Sequence, residues 1–267
     1  MADLSIHDLE AKAAAIAYKE IVEPLKAATD VLNLAAKLQG NDIPEKKLPR
    51  TKAVTLLLLQ RIQNDLRCCV ILVERGYALQ AASLAAGIFE AWVTLASIKT
   101  DEDAVKWLSH DRESKSFGSI RTLTEDALKS FGGDAKDWEK YYGKYQQLCM
   151  PKHLNPIVER VRGYDYDLDA KAVQFRPGPD MSEGAIALGW FALERASRFA
   201  YIGLLTIAES QQTPEQARRE FDSCVVVLNA LQDECVRRWP DAYLTSEANP
   251  TVTVSVSMPP KQPHPRR

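Results

Sequence analysis

Histidine is scarce in this chain: there are four in 267 residues, at positions 7, 110, 153 and 264. Scattered that widely, they give no His-Glu-x-x-His motif and no Glu-x-x-His pair, so neither a zinc site nor a di-iron bundle is expected. Glycine-rich phosphate loops are missing too: no Gly-x-Gly-x-x-Gly follows a strand, and no Gly-x-x-x-x-Gly-Lys-Ser/Thr or Gly-x-Ser-x-Gly occurs. No cofactor or metal is therefore expected. An excess of either charge is also lacking, with 34 basic against 36 acidic residues and a net charge of −2. That balance gives no general electrostatic reason to bind nucleic acid or an anionic membrane, and leaves only a local basic patch open. The five cysteines, Cys68, Cys69, Cys149, Cys224 and Cys235, have neither CxxC spacing nor the arrangement of a disulfide framework. They read as reduced thiols in a cytoplasmic protein. The opening MADLSIHDLE is polar, without a secretory signal. The most apolar stretches carry Gln80, Ser83 and Glu90, or Glu194, Arg195, Ser197 and Arg198, so no membrane span is expected.

What is present is helical periodicity. Val54 to Glu74 projects Gln60, Gln63, Arg67 and Glu74 on one side, and Val54, Leu58, Leu59, Ile62, Leu66, Cys69, Val70, Leu72 and Val73 on a wide apolar arc. Arg75-Gly76-Tyr77 then turns the chain into a second helix, Tyr77 to Ile98, rich in alanine and able to accept close neighbours. Two features interrupt these apolar surfaces. Asp65 projects from the apolar arc with Arg61 at i−4 as its nearest partner, and an unpaired buried carboxylate is costly. Ser83, Glu90, Thr94 and Ser97 form a narrow polar stripe on the second helix. Either that stripe faces water, or Glu90 turns towards Arg61 and Asp65 in one buried charged cluster.

The rest of the chain reads as more helix. Ser5 with Asp8 caps a first helix running to about Leu38 and kinked at Pro24, and Pro44 to Pro49 is a linker. Asp101 to about Phe117, Ser119 to Phe131 and Asp134 to Leu148 are shorter helices, the last stopped by Pro151. A helical turn follows to about Val161, and Tyr164–Leu168 and Ala172–Phe175 pair as a minor β-hairpin. Ser182 caps a final hairpin, with helices to Ser210 and from Pro214 to Arg238. The expected fold is all-α: a single multi-helix bundle built on two long antiparallel helical hairpins. One domain spans 1–244, divided into 1–49, the central hairpin 50–99, short helices and loop 100–181, and the second hairpin 182–240; a disordered tail occupies 245–267.

The order of Arg61 and Asp65, the Gly76 turn, an alanine-rich helix reaching Phe89-Glu90, and then Tyr145 and His153 resembles bacterial all-helical families of unknown function that are distantly HEPN-like. The resemblance covers roughly Lys52 to Glu209 and rests on single residues on helices. It implies a helical nucleotide-binding or ribonuclease architecture and an association with bacterial stress or phage-defence modules. HEPN ribonucleases pair an arginine with a histidine a few residues later; here no arginine lies four to six residues before His110 or His153, and Lys106 is the nearest approach.

Two readings follow. The first is a non-catalytic cytoplasmic binding protein whose partner is another protein or a second copy of itself. The second is an HEPN-like domain for RNA or a nucleotide, with His153 and Tyr145 as catalytic candidates beside Arg61 and Glu90. Glu194 and Arg198, spaced i,i+4, and Arg195 are read either as an ion-pair network fixing helix register or as an anion site together with Arg61.

Overall fold

Pro24 divides the first helical segment in two, giving α1 (Ile6–Glu20) and α2 (Val22–Gln39). Proline has no N–H to return to the carbonyl four residues back, and its ring crowds that carbonyl. The orphaned oxygen of Glu20 is taken by the indole N–H of Trp190, 2.7 Å away. A break required by the sequence thus becomes a tether to a helix 170 residues later.

The structure, a computed structural model, describes residues 5–39, 48–109, 118–130, 137–152, 164–167, 172–175, 178–210 and 215–239. The expectations for His110, His153, most of the 44–49 linker, the turn near Val161 and the tail from 245 lie outside them. The fold is all-α. The remaining helices are α3 (Arg50–Glu74), α4 (Ala78–Ser97), α5 (Asp101–Leu108), α6 (Ile120–Ser130), α7 (Asp137–Lys152), α8 (Glu183–Ser210) and α9 (Glu215–Arg238). Beside them, β1 (Tyr164–Asp167) and β2 (Ala172–Phe175) pair antiparallel with Tyr164 opposite Phe175.

Helix ends follow local chemistry. Ser5 with Asp8 and Thr100 with Asp103 form reciprocal capping boxes, and the Ser182 hydroxyl accepts the Ala185 N–H. The turn from α3 to α4 closes with Tyr77 N–H on the Leu72 carbonyl and Gly76 N–H on Val73, with Gly76 at φ +84°. Two sequence expectations are corrected. α5 stops at Leu108, with Ser109 turning its hydroxyl back to the Val105 carbonyl. α7 runs through Pro151 to Lys152, because in a final turn proline removes only one backbone bond and its fixed φ is already helical.

The core forms around α4, which packs most extensively on α8 and α3, then on α7 and α6. By length and composition α4 alone among the described helices could cross a membrane, but it lies mostly inside the protein. A Cβ at Gly203 of α8 would lie 3.0 Å from Ile62 and 3.8 Å from the Cβ of Trp92, a measure of how closely α8 approaches this hairpin. The inner face of α3 buries Val54, Leu58, Leu59, Ile62, Leu66, Cys69, Val70 and Val73. All five cysteines are free thiols.

Gly76 offers a direct check of the central turn. A Cβ there would stand 2.8 Å from that of Pro179 in addition to adopting positive φ. Gly76→Ala is expected to cost about 1–3 kcal/mol in urea unfolding. Gly143→Ala, in α7 with open space around the new methyl, should instead stabilise by up to about 1 kcal/mol.

Candidate functional site along α3 and α4

From Ala81 to Ser97, only Ser83, Leu84, Glu90 and Ser97 of α4 are not buried. Ser83, Glu90 and Ser97 recur every seven residues, so they share one side of the rod. The two serines return their hydroxyls to α4 itself, on the Leu79 and Val93 carbonyls. Glu90 is the polar member of the stripe that reaches another element.

Its partners come from α7. The Tyr145 hydroxyl donates to Glu90 Oε1 at 2.8 Å, and Lys152 Nζ lies 3.4 Å from the same oxygen. Tyr145 is positioned by stacking on Phe89, with ring centroids 4.9 Å apart. Burial, then the Cys149 thiol and Glu90, push the Tyr145 hydroxyl well above its ordinary range, so it stays a protonated donor at neutral pH. Burial likewise raises the Cys149 thiol and leaves it a poor nucleophile.

Asp65 and Arg61 approach α4 from α3. Arg61 Nε lies 3.4 Å from Asp65 Oδ2, and a Cβ built at Gly87 would sit 3.5 Å from that oxygen and 3.6 Å from an Arg61 Nη. Desolvation exceeds the pull of Arg61 and holds the Asp65 carboxyl above its usual value. Gly87 and Glu90 are three residues apart, about 4.5 Å along the axis. The Arg61–Asp65 pair and the Glu90–Tyr145–Lys152 group thus flank neighbouring turns of α4.

The outward face of α3 adjoins this pair. Leu57, Arg61, Asn64, Cys68, Ile71 and Arg75 are all exposed and alternate at spacings of four and three. Leu57 is 52% exposed and Ile71 42%, large values for apolar side chains on a helix with so full a buried face.

Glu194, Arg195 and Arg198 form a separate array on α8. The Glu194 side chain is 0% exposed, with Arg198 Nε 2.6 Å and Arg195 Nη1 3.1 Å from its oxygens. Arg198 also donates to the Leu228 carbonyl and to Asn229 Oδ1, fastening α9 to α8. The single cluster considered from sequence therefore resolves into distinct groups: Arg61 with Asp65, Glu90 with Tyr145 and Lys152, and Glu194 with both α8 arginines. Asp65 and Glu90 exchange no bond with each other or with Arg195 or Arg198. His153, the other catalytic candidate, follows Lys152 directly but lies outside the described residues. The roles of Lys152 and Lys144 were missed. Lys144 follows Tyr141 by one helical turn and lies over its ring, so a cation three residues after an aromatic residue was the available signal.

Comparison with known protein families, curated proteins and solved structures finds no match to this chain.

Proposed function

We propose that the protein is a non-catalytic binding protein and that its partner is a second copy of the same chain, paired through the outer face of α3. The exposed stripe Leu57–Arg61–Asn64–Cys68–Ile71–Arg75 carries this reading. Spacing of four and three residues is that of a helix seam made for another helix, and apolar residues at three of the six positions supply contact area. Arg61 sits in the seam and is paired with Asp65 beside Gly87 of α4, so dimer formation would bear directly on Asp65. By the HEPN-like resemblance, such a dimer would serve a bacterial stress or phage-defence assembly in the cytoplasm.

The charges favour a protein partner over RNA. Arg61 and Lys152 are matched by Asp65 and Glu90, each cation already beside its carboxylate, whereas phosphate recognition draws on cations in excess. Sedimentation velocity over a concentration series is expected to give a dimer for the wild type and a monomer for Leu57→Glu/Ile71→Glu. A wild-type monomer at every concentration would defeat the reading. Salt-dependent binding of a labelled single-stranded oligoribonucleotide would replace it with the RNA alternative.

A further inference from the structure

A cleft with a volume of about 320 Å³ lies between α2 and α9, and none of the groups described above lines it. That volume is at the lower end of the range for small-molecule sites. From α2 come Asp30, Asn33 and Lys37, and from α9 come Glu220, Cys224 and Val227. Each set keeps to spacings of three and four residues, so each lines one face of its helix. Lys37 Nζ meets Glu220 Oε1 at 2.9 Å and ties the two helices together at one end of the cleft. Asp30 precedes Lys37 by two turns, about 10.5 Å along the axis, and so belongs to the other end.

The Asp30 end carries an unmet charge. Asp65, Glu90, Glu194 and Glu220 each lie beside a cation, whereas half-buried Asp30 has no hydrogen-bond or ion-pair partner among the described residues. Asn33, one turn further along α2, adds an amide oxygen to the same face. The Cys224 thiol across the cleft feels Asp30: burial first, and then that carboxylate, push it up to about 11, so it stays a neutral wall at physiological pH. Val227, 41% exposed, supplies an apolar surface beside it. A free carboxylate, an amide acceptor and uncharged walls in one cleft fit a ligand with a cationic head that can donate hydrogen bonds and a short carbon body.

We propose that the α2–α9 cleft is a binding site for a small primary ammonium compound. Its ammonium group donates to the Asp30 carboxylate and the Asn33 amide oxygen, and its carbon chain runs along Val227 and Cys224 towards the Lys37–Glu220 pair. That pair is neutral as a whole, so the far end of the cleft asks for no second charge. The site shares no residue with the α3 seam and stands whether or not the chain dimerises.

The test uses the full chain and n-butylammonium chloride, titrated at constant ionic strength against sodium chloride. The side-chain amide resonances of Asn33, assigned with Asn33→Leu, should shift saturably. Tetramethylammonium has the charge without an N–H, and magnesium has charge without a carbon chain; each should bind about tenfold more weakly than n-butylammonium, or less. By calorimetry, Asp30→Asn, which keeps the side chain's shape, should weaken n-butylammonium binding about tenfold or more. Asn33→Leu, at an exposed position, should weaken it to a smaller degree, and Asp222→Asn, exposed on another side of α9, should leave it unchanged. Circular dichroism of all three variants should match the wild type. No saturable shift with n-butylammonium, binding that survives Asp30→Asn, or equal binding of either comparison cation would each overturn the proposal.

Discussion

Glu194→Ala is expected to lower the unfolding free energy by about 3–5 kcal/mol, as seen when one member of a buried ion pair is removed. Its carboxylate is wholly buried, accepts from Arg198 and faces the Arg195 guanidinium at 3.1 Å, and those two side chains are only 12% and 6% exposed. Truncation leaves a net excess of positive charge inside the protein with no water to solvate it. Arg198 also carries the α8–α9 bonds to Leu228 and Asn229, so its displacement should loosen α9 as well. Urea unfolding followed by circular dichroism gives the number, and amide exchange in Val225–Arg238 locates the loosening. Glu194→Gln keeps one acceptor and the volume, and should cost less than Glu194→Ala. A loss below about 1 kcal/mol for the alanine variant, the level of an exposed pair, would mean that the network contributes little.

Phe199→Ala should cost about 3–5 kcal/mol, the range for emptying a buried aromatic site. Phe199 is 0% exposed and is the side chain around which the aromatic core assembles: its ring lies 4.9 Å from Phe89, 6.0 Å from Trp92 and 6.5 Å from Tyr141. Those rings belong to α4 and α7, so the cavity would open where three helices meet and could not collapse by moving one. Phe199→Leu retains most of the volume and should cost clearly less. Because Phe89 also stacks on Tyr145, the alanine variant should weaken the Tyr145–Glu90 hydrogen bond, visible as faster exchange of the tyrosine hydroxyl.

Much of the fold was legible because its determinants are local. The apolar arc of α3 is defined by periodicity, and the residues expected on it are buried apart from Leu72, which is partly covered. Ser5, Thr100 and Ser182 mark helix starts through side chains that satisfy nearby N–H groups, and Gly76 marks a turn through a backbone conformation other residues resist. The Arg61–Asp65 and Glu194–Arg198 pairs were legible for the same reason, each being one turn apart on a single helix. Pro151 was misread as a stop because its effect depends on how many helical bonds remain beyond it.

Glu90 marks the boundary. Its place in a polar stripe follows from sequence, but its partners lie 55 and 62 residues away on α7, and no periodicity specifies which rod crosses α4 at that height. The same holds for Lys144, ordinary in sequence and set apart by its burial among packed helices and then by the α8 arginines beside it. Sequence alone determined where the helices run and which of their faces leave water, since propensity, capping and amphipathicity act within a few residues. Only the tertiary structure decided which charges meet, because electrostatic energies depend on separation and on solvent exclusion, and both are properties of the packed helices rather than of any one of them.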